Sequence, residues 1–305
     1  MKELFHLILL TMTCVLIGCQ EKTEERTKIK NSKTIAIKDL GKLKHLQSTL
    51  PAPEPGEWLY QQNESGQTFQ EYVQLAPHKP DSLHHKIYLQ PIGTFDSVDI
   101  SVLENLRLYL QIFFGQKTIL LEIQPSIITP QSSRRNNHGI EQIHTQFLLQ
   151  EYLPETKPQE AIAYAAITSE DLFPKEGWNY VFGQAGLNTQ LSTFSMYRYK
   201  TAKMTPVYQR QYLNRLAKTA SHEIGHSLGL KHCNKFKCLM NGSLTLTEAD
   251  HKPSWLCYIC LAKIGWNTQM DLQKRYDQLI EYTEQQRFNK ANEFYKKSRK
   301  VLMKN

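Results

Sequence analysis

No apolar run in this 305-residue chain is long enough to cross a bilayer. The stretch Leu4–Ile17 falls short of the roughly 20 residues a spanning helix needs. Internal repeats and low-complexity tracts are also lacking, which excludes solenoids and fibrous architectures. No stripe of interleaved aromatic and basic residues suits base stacking. The net charge of +8 therefore fits a mildly basic surface for peptides or an anionic bilayer, and no nucleic acid is expected as a partner. Six cysteines are too few for a disulfide-dense scaffold, and their spacing points elsewhere.

Residues 222–232 read His222-Glu223-Ile224-Gly225-His226-Ser227-Leu228-Gly229-Leu230-Lys231-His232. On a helix, His222 and His226 lie on one face and can share a zinc ion. Glu223 sits one step round, beside the metal, where it can take a proton from a water the metal activates. A continuing helix would turn His232 away by a net of about 240° at 3.6 residues per turn. The helix must therefore stop, and Gly229 is where it can, since glycine tolerates the left-handed conformation that ends helices. His232 then returns as third ligand, and three histidines leave a fourth position open, as in catalytic sites. A downstream acid, Glu248 or Asp250, is the alternative third ligand, but it leaves Gly229 and His232 without a role.

Cys233 and Cys238, then Cys257 and Cys260, form two close pairs separated by a loop, the usual build of a four-thiolate structural zinc site. Two disulfides are the alternative, because an exported protein would permit them. With Met240 following Cys238, the run His222–Cys260 closely resembles the archaemetzincins, over roughly residues 54–265. That resemblance implies a metzincin-like α/β fold in which Met240 forms a tight turn beneath the catalytic zinc. It also implies two zinc ions per chain, one catalytic and one structural. The activity implied is a zinc metallopeptidase acting on peptide or protein substrates, with a lean toward aminopeptidase-like cleavage. A zinc-stabilised binding module without turnover is the alternative, although a mere binder has no need of Glu223.

The N-terminus combines a short basic start with the apolar run, which reads as an export signal. Leu16-Ile17-Gly18-Cys19 resembles a bacterial lipobox, implying cleavage before Cys19 and its acylation. An ordinary signal peptide or an uncut anchor is the alternative. The expected layout is a lipoprotein signal peptide at 1–18, a flexible tether at 19–53 and a catalytic domain at 54–265 with its structural zinc site at 233–260. A charged helical extension follows at 266–305. The expected molecule is a monomer, held by lipid to a membrane outside the cytoplasm.

Apolar spacing predicts strands at 84–90 (closed by Pro91), 118–123, 161–168 and 191–199. It predicts helices at 97–114, 140–153 and from Pro206 to about Leu230, with a loop at 177–186. Alternation of these elements gives an α/β layer with a mixed sheet. The resemblance makes 191–199 the edge strand that binds substrate by backbone pairing, with Ser195 and Arg198 as exposed candidates.

Overall fold

The structure, a computed structural model, describes residues 35–304. The apolar leader and Cys19 lie outside the described residues. Its main sheet has five strands in the order β2-β1-β5-β8-β7. These are β1 (Lys86–Ile92), β2 (Lys117–Leu120), β5 (Ala161–Thr168), β7 (Gly183–Ala185) and β8 (Leu191–Ser195). Pairing is parallel except at β7, which joins β8 antiparallel. A second sheet contains β3 (Arg134–Asn137), β4 (Ile140–His144) and β6 (Asp171–Phe173).

Strand β5 reads Ala-Ile-Ala-Tyr-Ala-Ala-Ile-Thr and is buried along its whole length, the pattern of a parallel strand covered on both faces. On one face Tyr88, Ile92, Tyr164, Ala166 and Leu191 pack with Ile143, Phe147, Leu148 and Leu172. Side chains alternate along a strand, so Ala163, Ala165 and Ile167 face the other way, toward the helices. Helices α1 (Trp58–Gln62) and α2 (Phe69–Gln74) precede the sheet; α3 (Ser97–Phe114) and α4 (Leu153–Thr156) lie between strands. Helix α5 (Pro206–Ser227) packs on β5, β7 and β8 and against α3. Then come α6 (Leu246–His251), α7 (Tyr258–Thr268), α8 (Leu272–Gln285) and α9 (Asn289–Met303). No described helix is long and apolar enough to cross a membrane.

Several boundaries differ from those read in the sequence. The predicted helix at 140–153 is a strand followed by a wide helical turn at Phe147–Tyr152. The cause is His138-Gly139, both at positive φ, a two-residue hairpin turn that pairs β3 with β4. Pro91 does not close β1: its carbonyl faces the β2 side, where β2 has already ended, so its missing N–H has no partner to lose. Residues 36–53 do not form a free tether. Ile37–Leu46 is a 3₁₀ helix that buries Leu40 and Leu43 against α7 and α9. Leu50 N–H donates to Lys235 O and Lys237 N–H to Ser48 O. The charged C-terminal segment is likewise packed, as two helices broken at Arg287 (φ 55°) with Tyr276, Leu279 and Tyr295 buried.

The substrate strand also moves. β8 is internal and ends at Ser195; the edge is β7, within the segment read as a loop. Ser195 is buried and donates to Glu170 O at 2.6 Å. Arg198 makes a two-pronged ion pair with buried Asp171, at 2.9 and 2.6 Å, and lies 3.4 Å over the ring of Tyr180. Neither is an exposed substrate contact; Arg198 instead braces Tyr180, which lines the cleft beside β7.

Candidate metal centre and active-site cleft

Helix α5 begins on a capping Thr205 and Pro206 and ends with two backbone bonds, Leu230 N–H to Gly225 O at 3.0 Å and Gly229 N–H to His226 O at 2.8 Å. This closing pattern needs a left-handed residue after the helix, and Gly229 has φ +91°. A Cβ there would also lie 3.1 Å from Leu75 and 3.2 Å from Pro77. The chain then doubles back and delivers His232.

The three imidazoles converge, with ligand atoms of His222, His226 and His232 within 4.8 Å of one another. His222 Nε2 and His226 Nε2 are 3.0 Å apart. Each Nδ1 is held from behind: His222 by Leu239 O at 2.9 Å, His226 by Leu230 O at 2.6 Å, His232 by Glu64 Oε2 at 2.7 Å. Nδ1 thus donates, and the Nε2 lone pairs face the common point, the arrangement that orients metal-bound histidines. Burial pushes His222 well below the usual imidazole range and His226 down to about 3, so both rings stay neutral, the ligand form. The donor set and its convergence fit a zinc ion.

Glu64 was not among the residues read from the sequence; it lies 168 positions from His232, and no local pattern marks it. Its carboxylate also accepts from Trp58 Nε1 at 3.0 Å, and the Trp58 indole meets the His232 ring edge-on. Burial works to raise its pKa, but bonding to His232 and Trp58 outweighs this and holds it below the usual carboxylate value. Glu223, beside His222, is buried against Gly183 on β7, where a Cβ would come 2.6 Å from Glu223 Cγ. Burial pushes its carboxyl up to about 8, and the nearby Lys252 ammonium pulls it down. A cation on the imidazoles would pull in the same sense as Lys252.

Sulfurs of Cys233, Cys238, Cys257 and Cys260 also lie within 4.8 Å of one another, all as free thiols. Backbone N–H groups point at them: Cys257 N and Met240 N at Cys238 Sγ, 3.2 and 3.5 Å, and Cys260 N at Cys257 Sγ, 3.5 Å. Contacts from the other three thiols push Cys233 far down, whereas burial raises Cys238 and the bond to Cys233 raises Cys260. Four thiolates so close need a cation, and the set fits structural zinc. Met240 is buried beneath α5, its Sδ 3.0 Å from where a Cβ of Gly225 would lie. Glu248 and Asp250 are not ligands: Glu248 accepts from Trp58 N and Leu244 N, and Asp250 pairs with Arg215.

A cleft of about 1130 Å³ runs over the imidazoles, walled by Trp58, Trp178, Tyr180, Phe182 and Tyr199, by β7, and by residues 243–252.

A family model described as peptidase family M54 matches residues 156–265. Archaemetzincin-2 of Homo sapiens is 33% identical over 261 residues, 75% of this chain and 72% of that protein. Archaemetzincin-1 of Homo sapiens is 28% identical over 260 residues, 75% of this chain and 52% of that protein. The crystal structure of an archaemetzincin from Methanopyrus kandleri aligns with a TM-score of 0.50 at 25% identity, covering 62% of this chain and 97% of that one.

Two substitutions test the geometry. Glu64→Gln is expected to weaken metal binding at the histidine site about 10- to 100-fold, read by competition with a graded chelator, with the cysteine site unaffected. Gly229→Ala places a side chain at φ +91° and is expected to destabilise the fold by roughly 1–2 kcal/mol, read from denaturant midpoints.

Proposed function

Because the chain belongs to the archaemetzincin family and is a zinc metallopeptidase, we propose that it hydrolyses peptide bonds with Glu223 as general base, one zinc on His222, His226 and His232, and a second on the four cysteines. The observation that carries the reading is the orientation of the imidazoles, each fixed at Nδ1 with Nε2 turned to a shared point beside Glu223. Zinc held there supplies a Lewis acid for the scissile carbonyl and makes water acidic near neutral pH.

The protein groups do the rest. Gly183 and Ala185 on β7 point their outward N–H and C=O groups into the cleft, because antiparallel pairing to β8 uses those of Phe182 and Gly186. An extended peptide adds as the next strand, and main-chain bonds hold it regardless of sequence. Trp178, Tyr180 and Phe182 cover it and exclude water. Glu223 takes the proton of the attacking water and passes it to the leaving amine. No side-chain nucleophile is needed, so no acyl-enzyme forms.

Cleavage within a peptide is favoured over aminopeptidase-like attack. A free amino terminus needs an acid to hold it, and the acids lining the cleft are Glu64, Glu223 and Asp250. Glu64 is bound to His232 and Trp58, and Asp250 to Arg215. Anchoring through acylated Cys19 belongs to the same reading and rests on the leader sequence alone.

Glu223→Ala is expected to keep its zinc and lose cleavage of a peptide library read by mass spectrometry; undiminished turnover would refute the base assignment. Metal analysis is expected to find two zinc per chain, falling to one when Cys257 and Cys260 are both changed to serine. One zinc in the unaltered protein would remove the structural site. Labelling with a radioactive fatty acid is expected to be lost in Cys19→Ser.

A further inference from the structure

On α5, Arg215, Lys218, Thr219, His222 and Glu223 line the cleft at helical spacing, so two cations precede the imidazoles along one face. At about 1.5 Å per residue, Lys218 lies roughly 6 Å along the axis from His222. The facing wall ends in Lys252, and both cations of α5 tie that wall down. Arg215 pairs with Asp250 at 2.9 and 2.6 Å. Lys218 Nζ donates to Ala249 O at 2.6 Å, Lys252 O at 3.2 Å and Asp250 O at 3.4 Å.

Lys252 differs from both. It lines the cleft, and among the described residues its ammonium has no hydrogen bond or ion pair. It shares the cleft with His222, Glu223 and His226, and its charge acts on all three. Burial pushes its pKa down to about 8 and the neighbouring Lys218 ammonium pushes the same way, while Glu223, Glu248 and Cys238 pull it up. The side chain is only partly buried, and none of the groups that act on it from within the chain makes an ion pair with it, so its ammonium can meet an anion in the cleft. Lys218 holds the carbonyls of residues 249, 250 and 252 and Arg215 holds the Asp250 side chain, which steadies the segment that presents Lys252 to the cleft.

We propose that Lys252 forms a carboxylate subsite, pairing with a negative group of the substrate peptide next to the scissile bond. The inference deepens the peptidase reading and rests on it. The carboxylate is either an acidic side chain or the C-terminal carboxyl of a short peptide; both offer Lys252 the same oxygens.

Binding to the zinc-loaded, full-length Glu223→Gln protein tests this without turnover, by calorimetry with matched peptides. One pair carries Glu or Gln beside the bond cut by the unaltered enzyme, with an amidated C-terminus. A second pair carries a free or amidated C-terminus and no acidic side chain. In at least one pair the acid is expected to bind about 10- to 100-fold more tightly, as a charge-assisted hydrogen bond provides, and the responding pair identifies the source. Adding Lys252→Met is expected to reduce that ratio to under about 3-fold with both zinc ions retained, and Lys252→Arg to restore most of it. Equal affinities within both pairs, or a ratio that survives Lys252→Met, would overturn the subsite. Cleavage by Glu223→Gln at the unaltered rate would instead overturn the base assignment and leave the binding ratios to be read on their own.

Discussion

A straight helix can offer only two imidazoles to one ion, and the architecture of this site follows from that limit. His222 and His226 come from consecutive turns of α5, so the third ligand must arrive from chain that has reversed. The reversal takes place at Gly229, whose positive φ lets the helix end with Leu230 bonded back to Gly225. Tyr72 Oη and the Gln67 side chain take the carbonyls that this ending frees, at Leu228 and Gly229. The turn is thus both intrinsically permitted and held from outside, by residues far earlier in the chain.

The same early segment and the cysteine cluster grip His232 from opposite sides. Glu64 and Trp58 fix its ring, and Asn234 Nδ2 donates to Glu64 O. Gly242 has no side chain, and the Trp58 indole occupies the space where one would stand. On the other side Cys233 N–H donates to Met240 O, while Asn241 bonds Cys233 O, Phe236 O and Cys238 N–H. The turn holding Met240 is therefore stitched to the residue next to His232. A cation on the four sulfurs would tighten this one knot, so the histidine and cysteine clusters can adjoin in sequence and still form separate sites.

What was legible in the sequence was whatever depends on local pattern. Helix α3 at 97–114 and strand β5 at 161–168 have the bounds that apolar spacing gives. The histidines and cysteines come together as their spacing requires, because each set is brought together by a short stretch of chain. The misreadings occurred where a distant partner decides. Residues 140–144 have helix-compatible spacing, but the His138-Gly139 turn offers β3 as a neighbour. Residues 36–53 look like a polar linker until Leu40 and Leu43 find α7 and α9. β7 spans only Gly183–Ala185 and carries no alternation to detect, yet it replaces β8 as the edge. Glu64 and Lys252 were invisible for the same reason: one lone acid and one lone base, each meaningful only by what it faces.

The electrostatics of the cleft follow from how it is buried. Burial removes the charge from His222 and His226 and opposes the charge on Glu223, so the metal-facing groups are neutral or reluctant to ionise without a cation. A divalent ion reverses the balance for Glu223 alone, because neutral imidazoles bind it while the carboxylate gains an opposite charge nearby. Coupling of this kind favours a protonated Glu223 carboxyl without a cation nearby and an ionised one beside it. Lys252 works on Glu223 in the same direction, and among the described residues its ammonium has no ion pair or hydrogen bond of its own. The site therefore presents two unmet electrostatic demands, lone pairs that ask for a cation and an ammonium that asks for an anion. A zinc ion would meet the first, and a peptide lying along β7 with a carboxylate near its scissile bond would meet the second.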